Sequence, residues 1–260
     1  MKRQTLILAI LLYVATAGVW AQGTHRETAV DGLKGAVRQV NSMMYAAVVD
    51  NDAMRRGAPL EHLETVYNSK GQRRSMSYLS TEEEVVFRTR YKHDAFGVTT
   101  LEQIVDNNEE VIGRTYYIYN EQFVLTESYV EDAERQVENR IRYKYDANGR
   151  LIQRSFNDAL GQMYRREMYR YNPDGTVLSN TIYNRQDQKV MEFRYEYDRQ
   201  GQPITKTVFD YSDVEPEVFV TLYRYQYDER GNWIQRTEYS VDGSIRTPEY
   251  ITERSIQYFQ

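Results

Sequence analysis

Few side chains in this sequence belong to types that do covalent chemistry. None of the 260 residues is a cysteine, which excludes a thiolate nucleophile, a thiolate zinc site and a disulfide framework together. The three histidines are His25, His62 and His93. His93 stands where other copies of a repeated motif carry tyrosine, so it is expected to pack as one. No G-x-S-x-G, H-E-x-x-H, phosphate loop or dinucleotide fingerprint occurs. The carboxylate pairs Glu82-Glu83 and Glu109-Glu110 fall in expected turns or strand edges, where they read as solvated charge. A glycosidase needs two carboxylates at a set separation in space, which sequence does not display. Asp146, Asp198 and Asp228 invite a calcium reading. Calcium wants six to eight oxygen ligands, whereas these segments offer one acid followed by a glycine, the composition of a turn. The chain therefore reads as non-enzymatic, with no catalytic residue, no metal and no cofactor.

The residue type in excess is tyrosine, with 24 copies. The tyrosines fall in a repeated motif of Tyr, any residue, Tyr, Asp or Asn, any two residues, Gly. It is clearest at 143–149, 169–175, 195–201 and 225–231, weaker at 91–97 and 117–123, and partial around Tyr67 and Gly71. The glycine position recurs at 71, 97, 123, 149, 175 and 201, a constant 26-residue step broken in residue type only by Phe123. Gly231 follows 30 residues after Gly201, and the extra residues fit a longer loop around Asp213 to Pro216. A strict period of this length marks a repeat architecture.

These residues need strands to position them. In Ile141 to Tyr145, Phe193 to Tyr197 and Tyr223 to Tyr227, aromatic or apolar residues alternate with charged or amide ones, the pattern of a half-buried strand. Asp/Asn-x-x-Gly then makes a turn, because the acid or amide caps its own backbone and glycine accepts a positive φ. A second strand and a second polar turn close each unit. Ala36 to Val48 reads as an opening strand, Asn51 to Pro59 as a loop, and Ile251 to Phe259 as a last strand. The expected fold is all-β: an antiparallel meander of about fifteen strands, curled into a twisted sheet, a half-shell or a barrel-like form with tyrosines inside.

Tyr119, Tyr145, Tyr171, Tyr197 and Tyr227 share one repeat position and form a ladder along one face. The ladder reads first as cross-strand packing and second as an aromatic row for a sugar ring. On the other face, Arg142, Lys144, Arg170, Arg194 and Arg224, interleaved with Glu167, Glu192, Glu196 and Glu238, are expected to form a solvated mixed-charge surface.

The N-terminus differs from the rest. Lys2 and Arg3 precede an apolar run, Leu6 to Val14, and Val19 and Ala21 are small residues at the −3 and −1 positions of a cleavage site. Residues 1–21 read as a secretory signal peptide, 22–31 as a flexible tail and 32–260 as one repeat domain. A net charge of −5 argues against nucleic acid as a partner.

The Tyr-x-Tyr-Asp-x-x-Gly core followed by an apolar strand resembles the YD, or RHS, repeat. The match is best at 143–149, 195–201 and 225–231 and covers roughly residues 60–240. The opening Gly32-Leu33-Lys34-Gly35-Ala36-Val37 also resembles small secreted bacterial proteins of that group. The resemblance implies a long curled antiparallel sheet and binding to carbohydrate. The expected function is binding or scaffolding at the bacterial cell envelope, with a glycan or an envelope protein as ligand, in the periplasm or outside the cell. The alternatives are an outer-membrane β-barrel and a hydrolase acting on polysaccharide. After signal cleavage no transmembrane helix is expected.

Overall fold

A computed structural model describes residues 31–51 and 53–260. The expected signal peptide and almost all of the expected tail lie outside the described residues. The described residues form sixteen strands: β1 (Val37–Asp50), β2 (Ala53–Tyr67), β3 (Arg73–Leu79), β4 (Val85–His93), β5 (Thr99–Asp106), β6 (Val111–Tyr119), β7 (Leu125–Asp132) and β8 (Val137–Tyr145). Then follow β9 (Leu151–Asp158), β10 (Met163–Tyr171), β11 (Val177–Asn184), β12 (Lys189–Tyr197), β13 (Pro203–Asp210), β14 (Glu217–Tyr227), β15 (Trp233–Asp242) and β16 (Ile245–Tyr258). Each strand pairs antiparallel with the next, and β1 pairs with β16, so the meander closes into a barrel. The described residues include no helix. Closure leaves no unpaired strand edge, which removes the usual route to edge-to-edge association.

One local device makes the turns. In the β8–β9 turn the Asp146 N–H donates to the Arg150 carbonyl at 2.9 Å and the Gly149 N–H to the Asp146 carbonyl at 3.0 Å. The Asp146 carboxylate accepts the N–H groups of Asn148 and Arg150, each at 2.9 Å. Gly149 has φ 75°, the left-handed conformation that closes such a loop. The turns at the opposite end repeat the design, with Asp158 capping and Gly161 at φ 78°, or with Glu109 and Arg135 in the same conformation at φ 64° and 65°. Most of these turns adjoin a register shift: Tyr145 pairs with Leu151 while Lys144 pairs with Gln153. These bulges add the twist that curls the sheet. The longer loop expected around Asp213 to Pro216 is present between β13 and β14.

Of the loop expected over Asn51 to Pro59, the part from Ala53 onward is instead strand. β2 begins at Ala53, and Arg55 and Arg56 pair with Val48 and Ala47. Gly57 and Pro59 suggested a break; they are accommodated because the β1–β2 register shifts on either side of the Tyr45–Pro59 pair.

Parity assigns the faces. Arg142, Lys144, Arg170, Arg194, Glu196 and Arg224 are exposed, and the tyrosines between them are half-buried. The tyrosine face is therefore the inside, and the charged face looks outward. Two expectations are corrected. Glu167 and Glu238 lie on the inner wall and not among the outward charges, because Glu167 is two residues before Tyr169 and Glu238 pairs directly with Tyr223. Among the expected outward acids, Glu192 is held by Arg194 Nε at 2.6 Å and by Lys189.

The segment before β1 folds onto one end. Leu33 packs with Val37, Val40 and Tyr67, against Ile256 and Tyr258. The Lys34 N–H donates to Asn232 Oδ1 at 2.6 Å, and Asn232 Nδ2 donates to the Lys34 carbonyl at 2.9 Å. Asp31 accepts from Tyr67 Oη at 2.5 Å and from the Arg73 guanidinium. These contacts bridge the β2–β3 and β14–β15 turns across the β1–β16 seam.

Candidate functional site

The inner wall holds the most concentrated polar chemistry. Arg154 on β9 and Glu167 on β10 are directly paired, with Arg154 Nε 2.8 Å and its terminal nitrogen 2.5 Å from Glu167 Oε2. Arg165 binds the other carboxylate oxygen, and Tyr169 Oη donates to Oε2 at 2.6 Å. Glu167 is fully buried. Burial raises the Tyr169 phenol well above its ordinary pKa; Arg154 opposes this and Glu167 adds to it. Next to this cluster Tyr143 Oη and Ser128 Oγ are 2.9 Å apart, and the Tyr117 phenol bonds Glu102. Most donors and acceptors of this wall satisfy one another, which lowers the cost of burying charge, although the Arg165 Nε–H is buried without a partner. At the other side of the seam, the Arg254 guanidinium lies 3.3 Å from the centre of the Trp233 ring, and Trp233 meets Tyr225 edge-on.

The ladder tyrosines are all inside and half-buried. Tyr119 Oη donates to the Thr99 carbonyl at 2.8 Å, Tyr171 to that of Leu151 at 2.6 Å and Tyr197 to that of Val177 at 2.9 Å. In each case the acceptor lies 20 residues earlier, at the bulge that opens the preceding second strand. Tyr227 reaches the Asp198 side chain at 3.0 Å. Tyr145 is the exception: its hydroxyl is buried without a partner. The ladder hydroxyls therefore stitch one hairpin to the last, and the ring faces are what remain for a ligand.

Sequence reasoning missed Glu167 with Arg154, although the even spacing from Tyr169 was a readable sign for the glutamate. His93 lies on the tyrosine face at the strand end, half-buried, and His62 on the outer face. A recess of about 480 Å³ lies beside His62, bordered by Met43, Glu64, Leu79, Glu83 and Glu253. Two of its acids are already engaged, Glu64 by Gln39 and Glu253 by Arg56. Among the described residues no group of three His, Asp or Glu side chains is arranged to hold a metal ion.

Fold and site together define a closed antiparallel barrel with a charged exterior and a tyrosine-rich, hydrogen-bonded interior. No family model matches the chain, and no curated protein matches it. Among solved structures it is similar to a porin-like protein from Bacteroides uniformis ATCC 8492, with a TM-score of 0.55 and 12% identity over 86% of this chain and 98% of that one. A porin-like protein from Bacteroides vulgatus ATCC 8482 overlays at a TM-score of 0.34, with 9% identity over 86% and 98% of the two chains. The Tc holotoxin pore of Photorhabdus luminescens overlays at 0.29, with 16% identity over 83% of this chain and 13% of that one. The first likeness is one of fold; the other two overlays are too loose to bear on it.

Proposed function

We propose that the chain is an exported YD-type β-barrel of the bacterial envelope that acts by binding, holding a glycan or another polar ligand against its tyrosine-lined inner wall. The observation that carries this reading is the division of the two faces. Arg90, Arg142, Arg194 and Arg224 are exposed on the outward side of their strands, and the repeat tyrosines line the interior. Some rings, among them Tyr116, Tyr129, Tyr183, Phe209 and Tyr239, stand outward among the charges. A barrel of sixteen strands is wide enough for a lumen beyond what side chains alone fill. Without detergent, the purified protein is expected to be monodisperse and to bind envelope glycan fragments. Protein that stays folded only in detergent would overturn the water-soluble part of the reading, and failure to retain any glycan would overturn the binding part.

A second reading, a membrane-spanning barrel, is favoured by closure with an even strand count and by the porin-like fold. Such a barrel needs an outward apolar band about 25 Å tall. Strands of eight residues, as in β5, β7 and β9, rise about 26 Å along their own axis and less once tilted, and their outer faces carry Gln103, Glu127 and Gln153. Fractionation separates the two readings: recovery in the outer-membrane pellet after carbonate washing would favour the second.

A further inference from the structure

The cations of the inner wall come with partners. Arg73 is held by Asp31, Arg154 and Arg165 share Glu167, Arg236 binds Glu238 at 2.5 Å, and Arg254 covers the Trp233 ring. Lys206 differs. It sits mid-strand on β13, opposite Tyr195 of β12 and Thr221 of β14, and is half-buried. Among the described residues no carboxylate lies within ion-pair distance of it, and no aromatic ring lies under its ammonium.

Its neighbours differ in the same way. The hydroxyls of Tyr117, Tyr143, Tyr169, Tyr171, Tyr197, Tyr225 and Tyr227 are spent on protein partners. Tyr195 and Tyr223 have no such partner, and neither oxygen is among the buried atoms left unsatisfied. Each hydroxyl therefore keeps some exposed surface on the inner face, although the rings are largely buried. The two phenols lie close enough to influence each other electrostatically. Two inner carboxylates reach these phenols, Glu238 opposite Tyr223 and Glu167 toward Tyr195, and both are already held, Glu238 by Arg236 and Glu167 by Arg154 and Arg165.

An ammonium and two phenol hydroxyls, on three adjacent strands and with no free carboxylate between them, can all donate to an anion. A half-buried charge left unpaired is costly, and hydrogen bonds to an anion are the stronger kind. We propose that Lys206, Tyr195 and Tyr223 form an oxyanion site on the inner wall, taking the carboxylate or phosphate group of a solute held in the lumen. This rests on the lumen being a ligand chamber and adds the charge of what it holds.

The test is calorimetric titration of the folded protein with inorganic phosphate, glucuronate and, as the uncharged counterpart, glucose. Saturable binding of phosphate or glucuronate is expected, weakened by salt, and the tighter of the two identifies the group. Lys206→Met should weaken it roughly tenfold, the loss of one charge-assisted contact, and Tyr195→Phe by less. Because Lys206 has no ion-pair partner among the described residues, Lys206→Met should keep the parent melting temperature. Equal affinity in parent and Lys206→Met, or no anion bound at tens of millimolar, would overturn the site. If neutral glycan fragments still bind in that case, the ligand chamber stands and only its charge preference falls. If nothing binds, both fall.

Discussion

Glu167 and Arg154 face each other across the β9–β10 ladder with two hydrogen bonds, and the carboxylate is fully buried between two guanidinium groups and a phenol. Removing one member of such a group leaves the others charged and desolvated. Glu167→Gln is expected to cost about 3–5 kcal/mol in urea unfolding. Replacing Arg154 and Glu167 together, by Met and Leu, should cost less than Glu167→Gln alone. A double variant as unstable as the sum of its singles would show that the two residues act separately.

Two ladder tyrosines at the same repeat position should respond oppositely to loss of the hydroxyl. Tyr171→Phe removes a 2.6 Å bond to the Leu151 carbonyl and is expected to destabilise by about 1 kcal/mol. Tyr145→Phe removes a buried hydroxyl that has no partner, so stability should stay level or rise. Equal losses in the two melts would mean that the hydroxyls do not stitch the hairpins together.

Asn232, almost fully buried, satisfies both backbone groups of Lys34 and also donates to Tyr258 Oη at 2.8 Å. Asn232→Ala should cost about 2–4 kcal/mol, since several buried groups lose partners at once. Hydrogen exchange should speed up at the amides of residues 33–37 before it does in β8 to β12. Unchanged protection there would show that the segment is held by Leu33 alone.

Stability should fall at both ends of the pH scale. The Arg150 N–H bonded to Asp146 holds that carboxyl below its ordinary 3.8, and the Thr176 hydroxyl does the same for Asp174. A depressed folded pKa gives stability that is present above the unfolded value and is lost as pH drops below about 4. Burial pushes the phenols of Tyr195, Tyr197 and Tyr223 up to about 12, and that of Tyr227, with Asp198 adding to it, also to about 12. A raised folded pKa gives stability that is intact below the ordinary 10 and lost between about 10 and 12. Ultraviolet titration should therefore show these phenols ionising together with unfolding. Free ionisation of all the tyrosines near pH 10 in folded protein would contradict it.

Much of this architecture is legible in the sequence, because each hairpin is specified locally. The Asp or Asn that caps a turn, the left-handed glycine and the alternation before them lie within about ten residues of one another, so the motif at 143–149 announces its own turn and its own faces. Closure is different. Whether β1 meets β16 depends on the twist summed over every bulge, and nothing at Val40 or Ile256 marks their pairing. β2 was obscured because Gly57 and Pro59 are ordinary signs of a loop, and only the shifted register of β1 shows how a strand admits them. The polar interior was half-visible: parity places Glu167 beside Tyr169, but no local pattern says that Arg154 faces it or that Lys206 lacks a partner.

Closure also restricts how such a molecule can change size. In a ring whose neighbours all run antiparallel, the first and last strands can pair antiparallel only when the strand number is even. Adding one strand and one turn, about half of the 26-residue period, would bring β1 and the last strand together pointing the same way and would undo the seam from Val37 to Ala46. Adding a whole hairpin would preserve it and widen the ring by two strands. The family of shapes open to this chain therefore advances by pairs of strands. Unlike an open array of repeats, it needs no special terminal unit to shield an end.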